Sequence, residues 1–456
     1  MIYDLAIIGG GPAGYVAAER AGGAGMNVLL IEKMFLGGVC LNEGCIPTKT
    51  LLHSAKIFDN AKNGAKYGVY TGDIKLDHNA VIARKNKVVK TLAAGIRATL
   101  KKNNADIVEG FGEIAGRGDG GYLVKAGDSL FTAKRLLVAT GSVPVVPPIP
   151  GLKQGMEQGF VLTSREILDI DTVPRSLVIV GGGVIGLEMA SYFNSAGSKV
   201  VVVEMLDHVA GNIDRDISDI LKKSYEKKGV EFRLNARVSG IREGSVLCEY
   251  KNGIEEIAAD KVLLCIGRRP AIEGIGLERI GVETESGRIN VDETGRTNVP
   301  GVYAAGDVNG RSMLAHTAYR EAEACVNNML GKKDIVRYNV IPSVIYTNPE
   351  AACVGETEET ARQKGIDCET VSLSMRYSGR YVAENEESGG ICKIIVDRRR
   401  RNLLGVHMAG NYSSEIIYGA SLMMETEMKV DDIRKLVFPH PTVSEILREG
   451  AFACGI

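Results

Sequence analysis

The stretch "IYDLAIIGGGPAGYVAAERAGGAGMNVLLIEK" (residues 2–33) reads as an apolar strand, a glycine turn, an alanine-rich helix and a second strand ending in Glu32. Gly9, Gly11 and Gly14 fit the pattern G-x-G-x-x-G. Such glycines keep the turn tight and let backbone approach a pyrophosphate. The helix N-terminus offers free N–H groups and the positive end of its dipole. The acid closing the second strand is placed to bind a ribose 2′-OH.

The same design returns in "RSLVIVGGGVIGLEMASYFNSAGSKVVVVEM" (175–205), with Gly181, Gly183, Gly186 and then Glu204. The offsets from first glycine to acid agree, 32 − 9 = 23 and 204 − 181 = 23. A lone glycine fingerprint is weak evidence; a repeated βαβ unit with its acid in both copies predicts two dinucleotide sites in an α/β protein.

The rest of the chain is organised around these copies. A helical stretch is expected from about Thr48 to Lys102, then strands ending in "RLLVATGS" (135–142). The stiff run "PVVPPIPG" (144–151) marks a domain exit. The second unit closes near "VLLCIGRRP" (262–270), and "NVPGVYAAGDV" (298–308) delivers an acid to the carboxyl end of a strand. From about Tyr338 the texture changes to short strands and two helices without a glycine fingerprint. The expected boundaries are 1–143 for the first dinucleotide domain, 144–270 for the second, 271–337 for a segment completing the first, and 338–456 for a third domain. Arg398–Arg401, between two apolar runs, reads as a solvated hairpin turn.

Length and composition bound the function. The 456 residues suggest about three domains. With 55 Lys+Arg against 56 Asp+Glu there is no global field to draw in nucleic acid or an anionic membrane. Residues 2–8 already read as a strand with no basic segment before them. No apolar run reaches the roughly 20 residues of a membrane span. A soluble cytoplasmic protein is expected, without nucleic-acid or membrane partners and without a metal site.

Nine cysteines, an odd number and mostly scattered, do not form a secreted disulfide framework. One pair stands out, Cys40 and Cys45 in "GGVCLNEGCIPTK" (37–49). Two dinucleotide sites beside a close thiol pair imply an electron path. One nucleotide can be a nicotinamide, the other a flavin, and a dithiol–disulfide couple is the natural next two-electron station. In a regular helix, residues five apart lie about 7.5 Å apart along the axis, more than the roughly 7 Å that a disulfide allows between Cα atoms. A bridge therefore needs a break in the helix, which Gly44 favours. Lys49 lies one helical turn beyond Cys45, where its charge favours a thiolate.

The thiol motif resembles that of the pyridine nucleotide–disulfide oxidoreductases. "ATG" (139–141), "GVYAAGDV" (301–308), "MLAH" (313–316) and "FPHPTVSE" (438–445) match the same family in order, over essentially the whole chain. The resemblance implies two Rossmann-like domains and a C-terminal α+β interface domain that makes a homodimer. It implies FAD on the first fingerprint, with Glu32 on its ribose and Asp307 near its ribityl chain. Lys49, Gly112, Thr140, Gly141, Met313, Leu314, Ala315 and His316 would be FAD neighbours. NAD would take the second fingerprint, with Glu204 on its adenosine ribose and Val238 and Gly267 nearby. Lys49 would pair with Glu188, and His440, oriented by Glu445, would be the proton-transferring base donated by the other subunit. Cys40 would exchange with substrate and Cys45 would face the flavin.

Within the family the chain resembles the branch that oxidises dihydrolipoamide, or the lipoyl domain of an acyltransferase complex, and passes hydride to NAD⁺. Relatives that reduce glutathione disulfide hold NADPH with arginines after the second strand; here Glu204 is followed by Met205, Leu206, Asp207 and His208. Mercuric reductases and large thioredoxin reductases end in paired cysteines; here only Cys454 lies near the end. A different small-disulfide reductase and a flavin-binding scaffold without turnover are the alternatives. Val39 and Glu43 depart from the residues often found there. Glu43 is expected to point to solvent; facing the sulfurs, it would oppose thiolate formation.

Overall fold

The computed structural model describes residues 1–385 and 389–455. The chain divides into two compact units. One comprises residues 1–50, 82–145 and 267–336, the other 51–81, 146–266 and 337–456.

The first unit is built on a five-stranded parallel sheet. Its order is Val302–Ala304, Leu136–Val138, Leu5–Ile8, Val28–Glu32 and Ala105–Glu109. Runs such as "LAII" are apolar throughout because a parallel sheet is covered on both faces. One face packs on the helices Pro12–Gly23 and Ala315–Met329, burying Leu5, Ile7, Ala17, Leu30, Ala318 and Ala322. The strand at 302–304 joins this sheet although the whole second fingerprint intervenes in sequence. A four-stranded sheet containing Gly112–Gly118 covers the other face with Ile114, Tyr122 and Val124.

The second unit holds two large sheets. The parallel one runs Val161–Thr163, Lys261–Leu264, Ser176–Val180, Lys199–Val203 and Glu231–Arg233. The antiparallel one runs Ser343–Ile345, Ala351–Gly355, Leu403–Ala409, Ile391–Asp397 and Cys368–Ser374. Two longer helices, Ser413–Glu425 and Glu445–Ala453, pack on the latter. Three short ones, at 358–363, 379–384 and 430–433, were not expected from the sequence.

The single helical stretch expected from Thr48 to Lys102 is instead two helices, Cys45–Lys62 and His78–Lys102, with a 3₁₀ turn at Gly64–Tyr67. Glycines make the break. Gly68 has φ +74, and a Cβ on Gly64 would sit 2.7 Å from the Val69 carbonyl oxygen. Residues 398–401 turn between two strands, and Asp397 Oδ1 accepts the amides of Arg399 and Arg400 at 2.8 and 2.7 Å.

Candidate functional site

The two glycine turns have one geometry. Gly9 has φ +106, and a Cβ on Gly14 would lie 1.8 Å from the Gly9 oxygen. Gly181 has φ +113, and a Cβ on Gly186 would lie 2.0 Å from the Gly181 oxygen. Gly11 and Gly183 then cap the helices Pro12–Gly23 and Val184–Ser195. The two acids do more than the fingerprint requires. Glu32 accepts the amides of Gly10 and Met34 at 2.6 and 2.7 Å. Glu204 accepts those of Gly182 and Leu206 at 2.7 and 2.9 Å. Each carboxylate thus clamps its own glycine turn before any ribose arrives.

The thiols sit on either side of a helix break. Cys40 lies in the short helix Gly38–Glu43; Gly44 leaves helical geometry at φ −149, ψ −105; Cys45 opens the helix Cys45–Lys62. A Cβ on Gly44 would be 3.1 Å from the Val39 oxygen, so the turn favours glycine. Cys40 and Cys45 hydrogen-bond to each other as thiols. That bond, followed by burial, pushes the Cys40 thiol far up, while the Lys49 charge pulls it down. Tyr15 and Tyr319 share a 2.7 Å hydroxyl bond, and both feel the charge of either cysteine.

Around the first fingerprint, Asp307 follows the strand Val302–Ala304. It accepts the Ser142 hydroxyl at 2.5 Å, and Arg268 Nε donates to that hydroxyl at 2.8 Å. The buried Glu321 holds the same turn through the Gly306 amide at 2.6 Å and the Asn309 side chain at 2.9 Å. Thr140 Oγ1 donates to the Ala271 carbonyl at 2.7 Å, and Gly141 (φ +72) accepts the Ala271 amide at 2.9 Å. Met313 and Leu314 lead into the helix that starts with Ala315 and His316, so this segment presents a helix N-terminus. A Cβ on Gly112 would lie 2.9 Å from the Ile8 methyl, so only backbone is available there.

Four further residues singled out from the sequence have definite places. The side chain of Val238 lies in the apolar core of the second unit. Gly267 belongs to the first unit, where its carbonyl accepts the Val145 amide at 3.0 Å. Glu43, expected to face solvent, is half-buried and acts on the Arg268 guanidinium. Glu188 is buried and accepts the Tyr346 amide at 3.1 Å. Ser142, Arg268, Glu321 and Tyr319 were not singled out from the sequence. Only Ser142, inside "ATGS", carried a local signal.

His440 and Glu445 come together. His440 Nδ1 lies 2.9 Å from Glu445 Oε1, whose other oxygen accepts the Thr442 amide at 2.9 Å. The His440–Pro441 bond is cis. The Thr442 amide, then His440, holds the Glu445 carboxyl below its ordinary range. The His440 side chain is 78% exposed in the single chain.

Two glycine turns with helix N-termini, each with an acid, a dithiol and an oriented histidine match one known group of proteins. The description "Pyridine nucleotide-disulphide oxidoreductase" fits residues 3–322, and that family's dimerisation domain fits residues 341–451. The chain belongs to this family. It is a flavoprotein disulfide oxidoreductase with a C-terminal dimerisation domain, and the family binds FAD and a pyridine nucleotide. The first unit fits a flavin dinucleotide: the glycine turn admits close approach, the helix starting at Pro12 offers amides, and Glu32 and Asp307 supply carboxylates.

Among its relatives, dihydrolipoyl dehydrogenase of Mycoplasma pneumoniae is 37% identical over 98% of both chains. In solved structures the family fold recurs in LpdA from Mycobacterium tuberculosis, at TM-score 0.89 and 28% identity over 98% of each chain. It recurs also in the HOCl-induced flavoprotein disulfide reductase RclA from Escherichia coli, at TM-score 0.87 and 30% identity, covering 99% of this chain and 100% of that one.

Proposed function

We propose that this protein is a dihydrolipoamide dehydrogenase: it oxidises dihydrolipoamide, free or on a lipoyl domain, and passes the electrons to NAD⁺. The observation that carries the reading is the dithiol of Cys40 and Cys45 together with a histidine oriented by Glu445. Relatives named dihydrolipoyl dehydrogenase over the full length support the substrate. Bound FAD and NAD⁺ would supply the two-electron and hydride chemistry.

The chain's own residues do the rest. With the pair oxidised, His440 of the partner subunit removes a proton from one substrate thiol. That thiolate attacks Cys40 Sγ, the Cys40–Cys45 bond breaks, and Cys45 leaves as thiolate. The second substrate sulfur attacks the substrate sulfur of the mixed disulfide and gives its proton to Cys40 as the bond to Cys40 breaks. The cyclic disulfide departs, leaving two electrons on the cysteine pair as a Cys40 thiol and a Cys45 thiolate. Lys49 stabilises the negative charge; Glu188 is carried with it from the family resemblance. Asp307, Thr140, Gly141, Gly112 and residues 313–316 would line the flavin when it is bound. Glu204 selects an unphosphorylated ribose, since a second anion beside a 2′-phosphate repels it.

The deciding experiment compares rates with lipoamide, glutathione disulfide and mercuric ion, each with NADH and NADPH. Preference for lipoamide with NADH is the expected result; faster turnover of another acceptor replaces the substrate. Absence of turnover with flavin bound would leave a scaffold. Adding two electrons per subunit should give long-wavelength absorbance that Cys45→Ser abolishes; its survival would reverse the roles of the two sulfurs.

A further inference from the structure

Arg268 opens the strand Arg268–Pro270, which pairs antiparallel with Ser142–Pro144. Its guanidinium is held on Ser142 twice: Nε donates to the hydroxyl and Nη2 to the carbonyl, each at 2.8 Å. The Ser142 hydroxyl in turn donates to Asp307 at 2.5 Å. This string holds a half-buried cation in one place, and three groups act on its charge: Asp307, Glu43 and Cys45. Burial lowers the Arg268 pKa, yet a guanidinium stays charged in proteins. Glu43 is the last residue of the helix that carries Cys40, two positions before Cys45.

We propose that Arg268 and Glu43 are an opposed pair that sets the redox poise of the Cys40–Cys45 couple, the guanidinium favouring the reduced form and the carboxylate resisting it. This rests on the dithiol reading above. On reduction the disulfide takes up two electrons and one proton, the S–S bond breaks, and one thiol and one thiolate form. The centre gains a negative charge, which a fixed cation stabilises and a fixed anion opposes. Lys49 adds a second cation. Tyr15 and Tyr319 stay neutral because burial pushes their ionisation up. Asp307 is engaged by Ser142. These groups are common to every variant compared, so their effect cancels.

The test equilibrates the flavin-loaded enzyme with dithiothreitol redox buffers at neutral pH, then acid-quenches, alkylates and weighs the cysteine peptides. Glu43→Gln should ease reduction, moving the midpoint about tenfold in the reduced-to-oxidised buffer ratio, or roughly 30 mV. Arg268→Met should move it about as far the other way, Arg268→Lys should restore most of the shift, and the double variant Glu43→Gln/Arg268→Met should return near wild type. A wild-type enzyme with no reversible disulfide would overturn both the dithiol reading and this inference. A normal wild-type couple with Glu43→Gln within about twofold of it would overturn the inference alone, as would shifts of one sign in both single variants. Should Arg268→Met not fold, Glu43→Gln and Arg268→Lys decide.

Discussion

The amide of Gly37 donates to the carbonyl of Gly10 at 2.8 Å, tying the segment that carries the thiols to the glycine turn of the first dinucleotide fold. Gly38, beside it, has φ +59, and a Cβ there would lie 2.5 Å from the Gly11 Cα. The motif's two leading glycines are thus a docking joint between thiol pair and nucleotide turn.

Gly38→Ala should therefore separate the two. It combines a left-handed backbone with a backbone clash, so a loss of about 1–3 kcal/mol is expected. The checks are the flavin-to-protein ratio after desalting and the urea midpoint; retention of full flavin with an unchanged midpoint would refute the joint.

His440→Ala should cost at least the roughly 10²-fold typical of a general base, while NADH still reduces the flavin. Glu445→Gln should cost less. The lowered Glu445 pKa means its orienting charge is lost only as pH falls through that depressed value, below the ordinary carboxylate range. The acid limb of the rate profile above about pH 5 then belongs to groups other than Glu445. Refolding Cys45→Ser with His440→Ala enzyme should give heterodimers with one intact site of two; inactive heterodimers would show that the site is not shared between subunits.

Glu204→Ala should lower kcat/KM for NADH about tenfold, the loss of one charged hydrogen bond of roughly 1.5 kcal/mol. It should also narrow the gap to NADPH. Because Glu204 also holds the Gly182 and Leu206 amides, Glu204→Gln, which keeps one acceptor oxygen, should recover turn order better than ribose selectivity. Steady-state kinetics with both nucleotides checks this; equal efficiency of the wild type with NADPH would remove the premise.

His407 is buried in the C-terminal sheet, its Nε2 on the Glu356 carbonyl at 2.8 Å, with Lys393 and Asp214 acting on its charge. Burial, the largest cause, lowers its pKa. The unfolded chain then binds a proton that the folded protein refuses. Stability falls as pH drops from about 6.5, the ordinary histidine value, toward the depressed folded value. The urea midpoint should decline between about pH 7.5 and 5.5, and His407→Gln should flatten that decline. An identical slope in the variant would assign it to other groups.

Both glycine fingerprints, the acids that close them, the thiol pair and the His440–Glu445 motif could be read from the sequence. Each is a local device in which a turn, a helix start or a five-residue spacing constrains its own few residues. The break after Lys62 is not legible in the sequence because helical periodicity resumes on both sides of a glycine cluster whose strength depends on the Val69 carbonyl. The second role of Glu32 and Glu204 depends on the fold, which sets each strand-ending acid beside the amide inside its glycine turn.

What the sequence determined by itself is the set of parts: two dinucleotide folds, a dithiol and a histidine–carboxylate pair, because backbone freedom at glycine and fixed residue spacing act within one turn of chain. Tertiary structure alone decided which charges surround the thiols. Arg268 meets Ser142 across 126 residues, and Ser142 meets Asp307 across 165. Those meetings follow from strand order in the sheet and the pairing of Ser142–Pro144 with Arg268–Pro270. They bring Glu43, a helix-end residue read as solvated, within reach of a half-buried cation. Electrostatic interaction depends on distance in space, and no spacing along the chain encodes it.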